Sequence, residues 1–161
     1  MLLVAGALRK REMRLGTVEA LAELCGTSLV STAIRCAQLS SEAMAVVVSR
    51  DKTIDYCFMS GPLREIDALE WIRKFAPLPA GSPTASFNAA LARVHRAERV
   101  AGAGALDEWF AGEAKVPLVE EALGLGKYGR TLTVLHSIEL PDLDDQDEET
   151  ALAESWTPRF R

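Results

Sequence analysis

Two pairs of strand-forming runs restrict this chain more than any other feature. AMAVVVS (43–49) and IDYCFM (54–59) are separated by a polar turn at RDKT, while VPLVEEALGL (116–125) and RTLTVLHSI (130–138) are separated by GKYG. β-Branched and aromatic residues suit the pleated, half-buried surface of a sheet, and short polar or glycine-bearing links suit an antiparallel return. The spacing predicts two β-hairpins.

Ahead of the first hairpin the pattern is helical. Residues 3–15 are compatible with a helix carrying Arg9, Lys10, Arg11 and Arg14 on one side. Thr17 is a suitable N-cap for a second helix, in which Val18, Leu21, Ala22 and Cys25 recur at i, i+3, i+4 and i+7 and form its buried stripe. Gly26 stops that helix. Thr27 or Ser28 caps a further helix reaching about Leu39, with Leu29, Val30, Ala33, Ile34 and Ala37 inward and Ser28, Ser31, Thr32, Arg35 and Gln38 outward. Two short helices joined at a glycine resemble a helix-turn-helix.

Between the hairpins, Gly61-Pro62 ends the first one, and residues 64–76 return to helical spacing with Ile66, Leu69, Ile72 and Phe75 turned inward. PLPAGSP (77–83) reads as a loop, since proline neither donates to a ladder nor propagates a helix. A short helix follows over 84–94, a strand is compatible with 94–100, AGAG (101–104) reads as flexible, and 105–110 as a helical turn fixing Trp109 and Phe110 to the core. The order predicts an α+β protein: a helical unit over 1–40, a sheet domain over 41–140, and an acidic linker and tail over 141–161.

Charge is unevenly spread. Glu139 to Arg161 holds eight acids against two bases, so this stretch carries −6 of a net −5 and the first 138 residues come to +1. PDLDDQDEE (141–149) cannot bury itself and reads as a solvated linker. That balance argues against a generally adhesive nucleic-acid binder. MLLVAGAL is too short to span a bilayer, and its basic cluster follows the apolar run where a signal peptide has it in front, so a cytoplasmic location and no membrane partner are expected. Cys25, Cys36 and Cys57 are odd in number and widely spaced, which favours free thiols in a reducing compartment.

No competent catalytic constellation emerges. His95 and His136 are the only histidines, and each begins an H-x-x-E. His136 lies on an expected strand, where positions three apart point to opposite faces, so a metal site is not expected there. Nothing in the sequence places either histidine beside a cysteine, which therefore lacks the base a nucleophile needs. GLGKYG (124–129) has no lysine-threonine or lysine-serine pair and no following helix, so it reads as a hairpin turn and not a phosphate loop. Tyr56 and Phe58 share a strand face and Trp71 and Phe75 lie one helical turn apart; with Trp109 they are candidates for lining a small-molecule pocket, or else plain core.

The succession LAELCGTSLVSTAIRCAQLS, EAMAVVVSRDKTIDY, WIRKFAPLPAGS, LGLGKYGRTLTVL and SWTPRF resembles the C-terminal part of ImmA/IrrE-type metallo-endopeptidases. The resemblance implies a helix-turn-helix-like unit followed by a GAF/PAS-like mixed, mainly antiparallel sheet domain with covering helices. It also implies a zinc peptidase module bearing H-E-x-x-H, a motif this chain lacks; the opening MLLVAGALRKREMRLG is similar to the segment that follows the metal helix in relatives. The chain is then expected to be a fragment starting after the peptidase core, or a natural protein without it. Zinc is expected only in that missing module, and this chain itself needs no cofactor. The implied function is a non-catalytic regulatory or sensor portion acting in stress response or gene regulation. Its implied partners are a peptidase module or repressor-type protein and a small-molecule ligand. The alternative is a DNA-binding transcriptional regulator using residues 17–39, with Ser28, Ser31, Thr32, Arg35 and Gln38 as its reading face. DNA is the less favoured partner, because Arg35 is the only base on that face.

Overall fold

The computed structural model describes residues 14–66, 71–110 and 116–137. Helices α1 (Leu15–Cys25) and α2 (Leu29–Leu39) lead into strands β1 (Met44–Arg50) and β2 (Thr53–Met59). Short helices α3 (Gly61–Arg64), α4 (Pro83–Ala89) and α5 (Leu91–His95) precede strand β3 (Arg99–Ala105). Helix α6 (Leu106–Phe110), strand β4 (Pro117–Gly124), a 3-10 turn (Gly126–Tyr128) and strand β5 (Arg130–Ser137) complete the described chain. The protein is α+β, and the five strands of the described residues form one antiparallel sheet in the order β2-β1-β5-β4-β3.

Both expected hairpins form, and β5 becomes the central strand, flanked by β1 and β4. Val46, Val47, Val48, Leu132 and Val134 are fully buried. Alternation along β1 sends Met44, Val46 and Val48 to one face and Ala45 and Val47 to the other. Helices α1 and α2 cover the first face, with Leu15, Val18, Leu21, Ala33, Cys36 and Ala37 packed against Val46, Val48, Leu132 and Val134. The second face is covered by Leu63, Leu78, Leu106, Trp109 and Phe110, with Phe87 and Val94 packed beside them against Ala122. The sheet therefore lies between two helical layers, and the helix pair shares a core with it.

Strand β2 carries a bulge. Val48 pairs with Tyr56 and Ser49 with Ile54, which leaves Asp55 without a partner on β1. The extra residue reverses the alternation. Ile54 thus packs in the second core while Tyr56 and Phe58 pack against the first.

Several sequence expectations are corrected. Helix α1 begins at Leu15 with Arg14 at its N-cap, three residues before the expected Thr17. Cys25, expected inside, is exposed, because it closes the last turn just before Gly26, whose left-handed conformation (φ 63°) turns the chain away. Of the helix expected over 64–76, only Arg64 is helical among the described residues. Pro62, with its preset φ, sits at the start of α3, and residues 71–76 are not helical. The backbone there is committed to β2: the amide of Ile54 donates to Ala76 O (2.8 Å), the amide of Phe75 to Ile54 O (2.7 Å) and the amide of Leu78 to Lys52 O (2.9 Å). Phe75 consequently sits at positive φ (67°) and faces solvent, while Leu69 lies outside the described residues.

The helix expected over 84–94 is two short ones broken at Ala90. AGAG is not a flexible link but the middle of β3. A Cβ at Gly102 would stand 2.6 Å from Pro83 Cγ, and one at Gly104 3.0 Å from a Glu120 carboxylate oxygen. These glycines let β3 lie under α4. The expectations for residues 3–13 and for the acidic stretch and tail fall outside the described residues.

Candidate functional site

Where α2 meets the sheet, the two layers separate at one corner. Ser28 caps α2, accepting from the amide of Ser31 (3.2 Å), and fixes the direction in which Leu29 and Val30 enter the helix. Those two side chains are only half-buried. Opposite them stand Arg50, the last residue of β1, Arg130, the first of β5, and Leu125 and Tyr128 from the β4–β5 connection. Together they line a groove of about 500 Å³ whose walls belong to both the helix pair and the sheet.

The electrostatics of this groove are one-sided. Arg50 and Arg130 are direct cross-strand partners on the same face, an arrangement in which like charges repel. Arg130 Nε lies 3.6 Å from Asp55 Oδ2, beyond hydrogen-bond distance, and is buried without a hydrogen-bond partner. No acid among the described residues pairs with Arg50. Lys127 Nζ lies 5.6 Å from the centre of the Tyr128 ring, and that ring is largely exposed. The first turn of α2 holds no acidic residue.

The five aromatic candidates do not converge on one cavity. Phe58 and Trp71 meet at a separate notch of about 210 Å³ on the outer edge of β2, with Cys57, Met59, Arg64 and Ile72. The Arg64 guanidinium lies 5.8 Å from the Trp71 ring centre. Tyr56 touches Phe58 edge-on at 5.7 Å between ring centres. Phe75 is exposed, and Trp109 is buried on the opposite face of the sheet.

On the outward face of α2, Ser28, Ser31, Arg35 and Gln38 are exposed and Thr32 is half-buried. Their polar groups are largely occupied with one another. The Ser28 hydroxyl donates to Ser31 Oγ (2.7 Å), the Thr32 hydroxyl to Ser28 O (2.8 Å), and Arg35 Nη1 to Gln38 Oε1 (3.4 Å).

The strongest buried polar cluster was not singled out from the sequence. Glu120 is fully buried beneath α4 and α6, accepting hydrogen bonds from Trp109 Nε1 and from the amide and hydroxyl of Thr84 (both 3.3 Å). Burial raises its pKa and outweighs the lowering by those donors, with Glu108 adding repulsion. A neighbouring cluster centres on Asn88, which donates to Ser49 Oγ (3.0 Å) and Asp51 O (3.1 Å) and accepts from Thr131 Oγ1 (2.6 Å). The only sequence trace of Glu120 is an acid at a position whose strand neighbours Leu118 and Ala122 face inward.

Chemically, these groups hold structure together. Burial pushes the Cys36 thiol up to about 11 and the Cys57 thiol up to about 12, so both remain protonated and weakly nucleophilic. His136 is paired with Glu121 (Nε2 to Oε1, 3.1 Å), whose other oxygen accepts from the amide of Leu15 (3.1 Å). Among the described residues no three His, Cys, Asp or Glu side chains come together as a metal-ligand set. No helix of the described residues is long and apolar enough to cross a membrane. No protein-family model matches the chain, and no curated protein matches it.

Proposed function

We propose that the chain is a non-catalytic regulatory module, a GAF/PAS-like sensor portion of an ImmA/IrrE-like protein, in which ligand or partner binding is relayed through the helix pair to a peptidase module or repressor-type protein. The observation that carries this reading is the groove between α2 and the ends of β1 and β5. Its walls come from both layers, so an occupant touches the sheet and the helix pair at once. Relay requires an effector to bind two arrangements unequally, and a site shared between two packed layers is where a small displacement changes the contacts most. The antiparallel sheet with helices on both faces supports the domain type. DNA reading by α2 has less behind it, because Arg35 is the only cation on a face whose hydroxyls bond to one another.

The test is a melting-temperature screen of small anionic, cationic and neutral compounds, followed by amide hydrogen exchange with each hit. A hit raises the melting temperature by binding the native state. The expected result is slowed exchange in α2 and at Arg50 and Arg130, with β3 unchanged. Hits that leave α2 unchanged would overturn the relay, and peptide-bond hydrolysis by the purified chain would overturn the non-catalytic reading.

A further inference from the structure

The groove beside α2 is selective in charge as well as shape, and we infer that it binds an amphipathic anion: an anionic head group on a short apolar body. This rests on the sensor reading and names the ligand class. Leu29, Val30, Leu125 and the Tyr128 ring supply apolar walls, while Arg50 and Arg130 stand side by side on the sheet at one end. Two arginines at directly opposed register positions on β1 and β5 repel unless an anion lies near them. Asp55 does not fill that role: it approaches only Arg130, at 3.6 Å, and leaves Arg50 without an acidic partner among the described residues. A guanidinium presents a planar fork of donors suited to a carboxylate or a phosphate, and two such forks suit one head group. At about 500 Å³ the groove accommodates a small ligand with an apolar body.

Neutral or cationic occupants fit the charge less well. A neutral ligand would leave the two arginines facing each other while removing water from them, and a cation would add a third positive charge. The apolar walls exclude a bare inorganic ion as the best occupant, since it would gain nothing from Leu29, Val30 and Leu125. The body and the head are therefore recognised by different elements: the body by α2 and the β4–β5 connection, the head by β1 and β5.

The experiment titrates the full chain with octanoate, phenyl phosphate and 1-octanol while amide resonances of residues 28–30, 50 and 130 are followed by NMR. Octanoate or phenyl phosphate is expected to shift these resonances saturably and at least tenfold more tightly than 1-octanol; the tighter of the two identifies the head group as carboxylate or phosphate. Arg50→Gln, at an exposed position, and Arg130→Gln, at a half-buried one, are each expected to weaken that binding at least tenfold, whereas Arg35→Gln on the outward face of α2 leaves it unchanged. Equal binding of 1-octanol, or full binding by both arginine variants, overturns the anion inference and leaves the sensor reading standing. A chain lacking residues 141–149 is titrated in parallel. Unchanged octanoate affinity supports the inference; binding seen only after the deletion shows that the chain's own acids occupy the arginines and overturns it. If none of the three probes moves these resonances, the inference falls, while a hit of another class from the melting screen still preserves the sensor reading.

Discussion

Replacing Glu120 with Gln separates the charge of the buried carboxyl from its shape. One carboxyl oxygen accepts from Trp109 Nε1 and the other from the amide and hydroxyl of Thr84. An amide has one accepting oxygen, so Glu120→Gln turns an NH2 toward either the indole N–H or the Thr84 amide. A buried donor left unpaired costs about 1–3 kcal/mol. That penalty does not depend on pH, but the wild-type reference does. Burial raises the folded pKa of Glu120, so over the window between its unfolded and folded values the native state binds more protons than the unfolded state. Stability of the wild type is then fully present below the unfolded pKa and falls as pH rises through the folded pKa, with a limiting slope of about 1.4 kcal/mol per pH unit for one proton. The variant has no such slope. Urea unfolding of both proteins between pH 4 and pH 8 is expected to show the wild-type advantage shrinking as pH rises and then levelling off. An advantage that stays flat or grows with pH refutes the argument that desolvation outweighs the three hydrogen bonds.

Two shorter tests address packing and reactivity. Gly102→Ala places a Cβ 2.6 Å from the ring of Pro83, at the first turn of α4, and is expected to destabilise by about 1–3 kcal/mol in urea unfolding. Thiol labelling of the native chain at pH 8 is expected to modify Cys25 quickly, with Cys36 and Cys57, pushed up to about 11 and 12 by burial, reacting only on denaturation.

What was legible in the sequence follows from the range of the forces involved. The two hairpins, the Ser28 cap and the turn that buries Trp109 and Phe110 are set by residues close in the chain, and each is found where local pattern places it. The misread segments are those decided by distant partners. Residues 71–76 have helical spacing, but the open edge of β2 claims their backbone. AGAG has no strand-forming side chains, yet Pro83 and Glu120 press so closely on β3 that larger residues would collide. The same limit applies to the site. The exposed face of α2 was legible from helical periodicity, and the Tyr56–Phe58 contact from strand alternation. The pairing of Arg50 with Arg130 was not, because those residues lie at the ends of the first and last strands and become neighbours only through the register of β1 on β5.

That register also sets the order in which the molecule can assemble. One of the two seams beside the central strand joins Met44–Arg50 to Arg130–Ser137, so its two sides emerge from synthesis far apart along the described chain. Contacts of such long sequence separation close slowly, because the loop entropy is lost before the seam gives anything back. Until β5 arrives, the first hairpin presents the inner edge of β1, the most valine-rich strand of the protein, with nothing beside it. An unpaired apolar edge of this kind is a template for another chain. Truncations ending before residue 130 are thus expected to accumulate as aggregates, and β5 acts as the closing piece that makes the rest of the fold safe to expose to its neighbours.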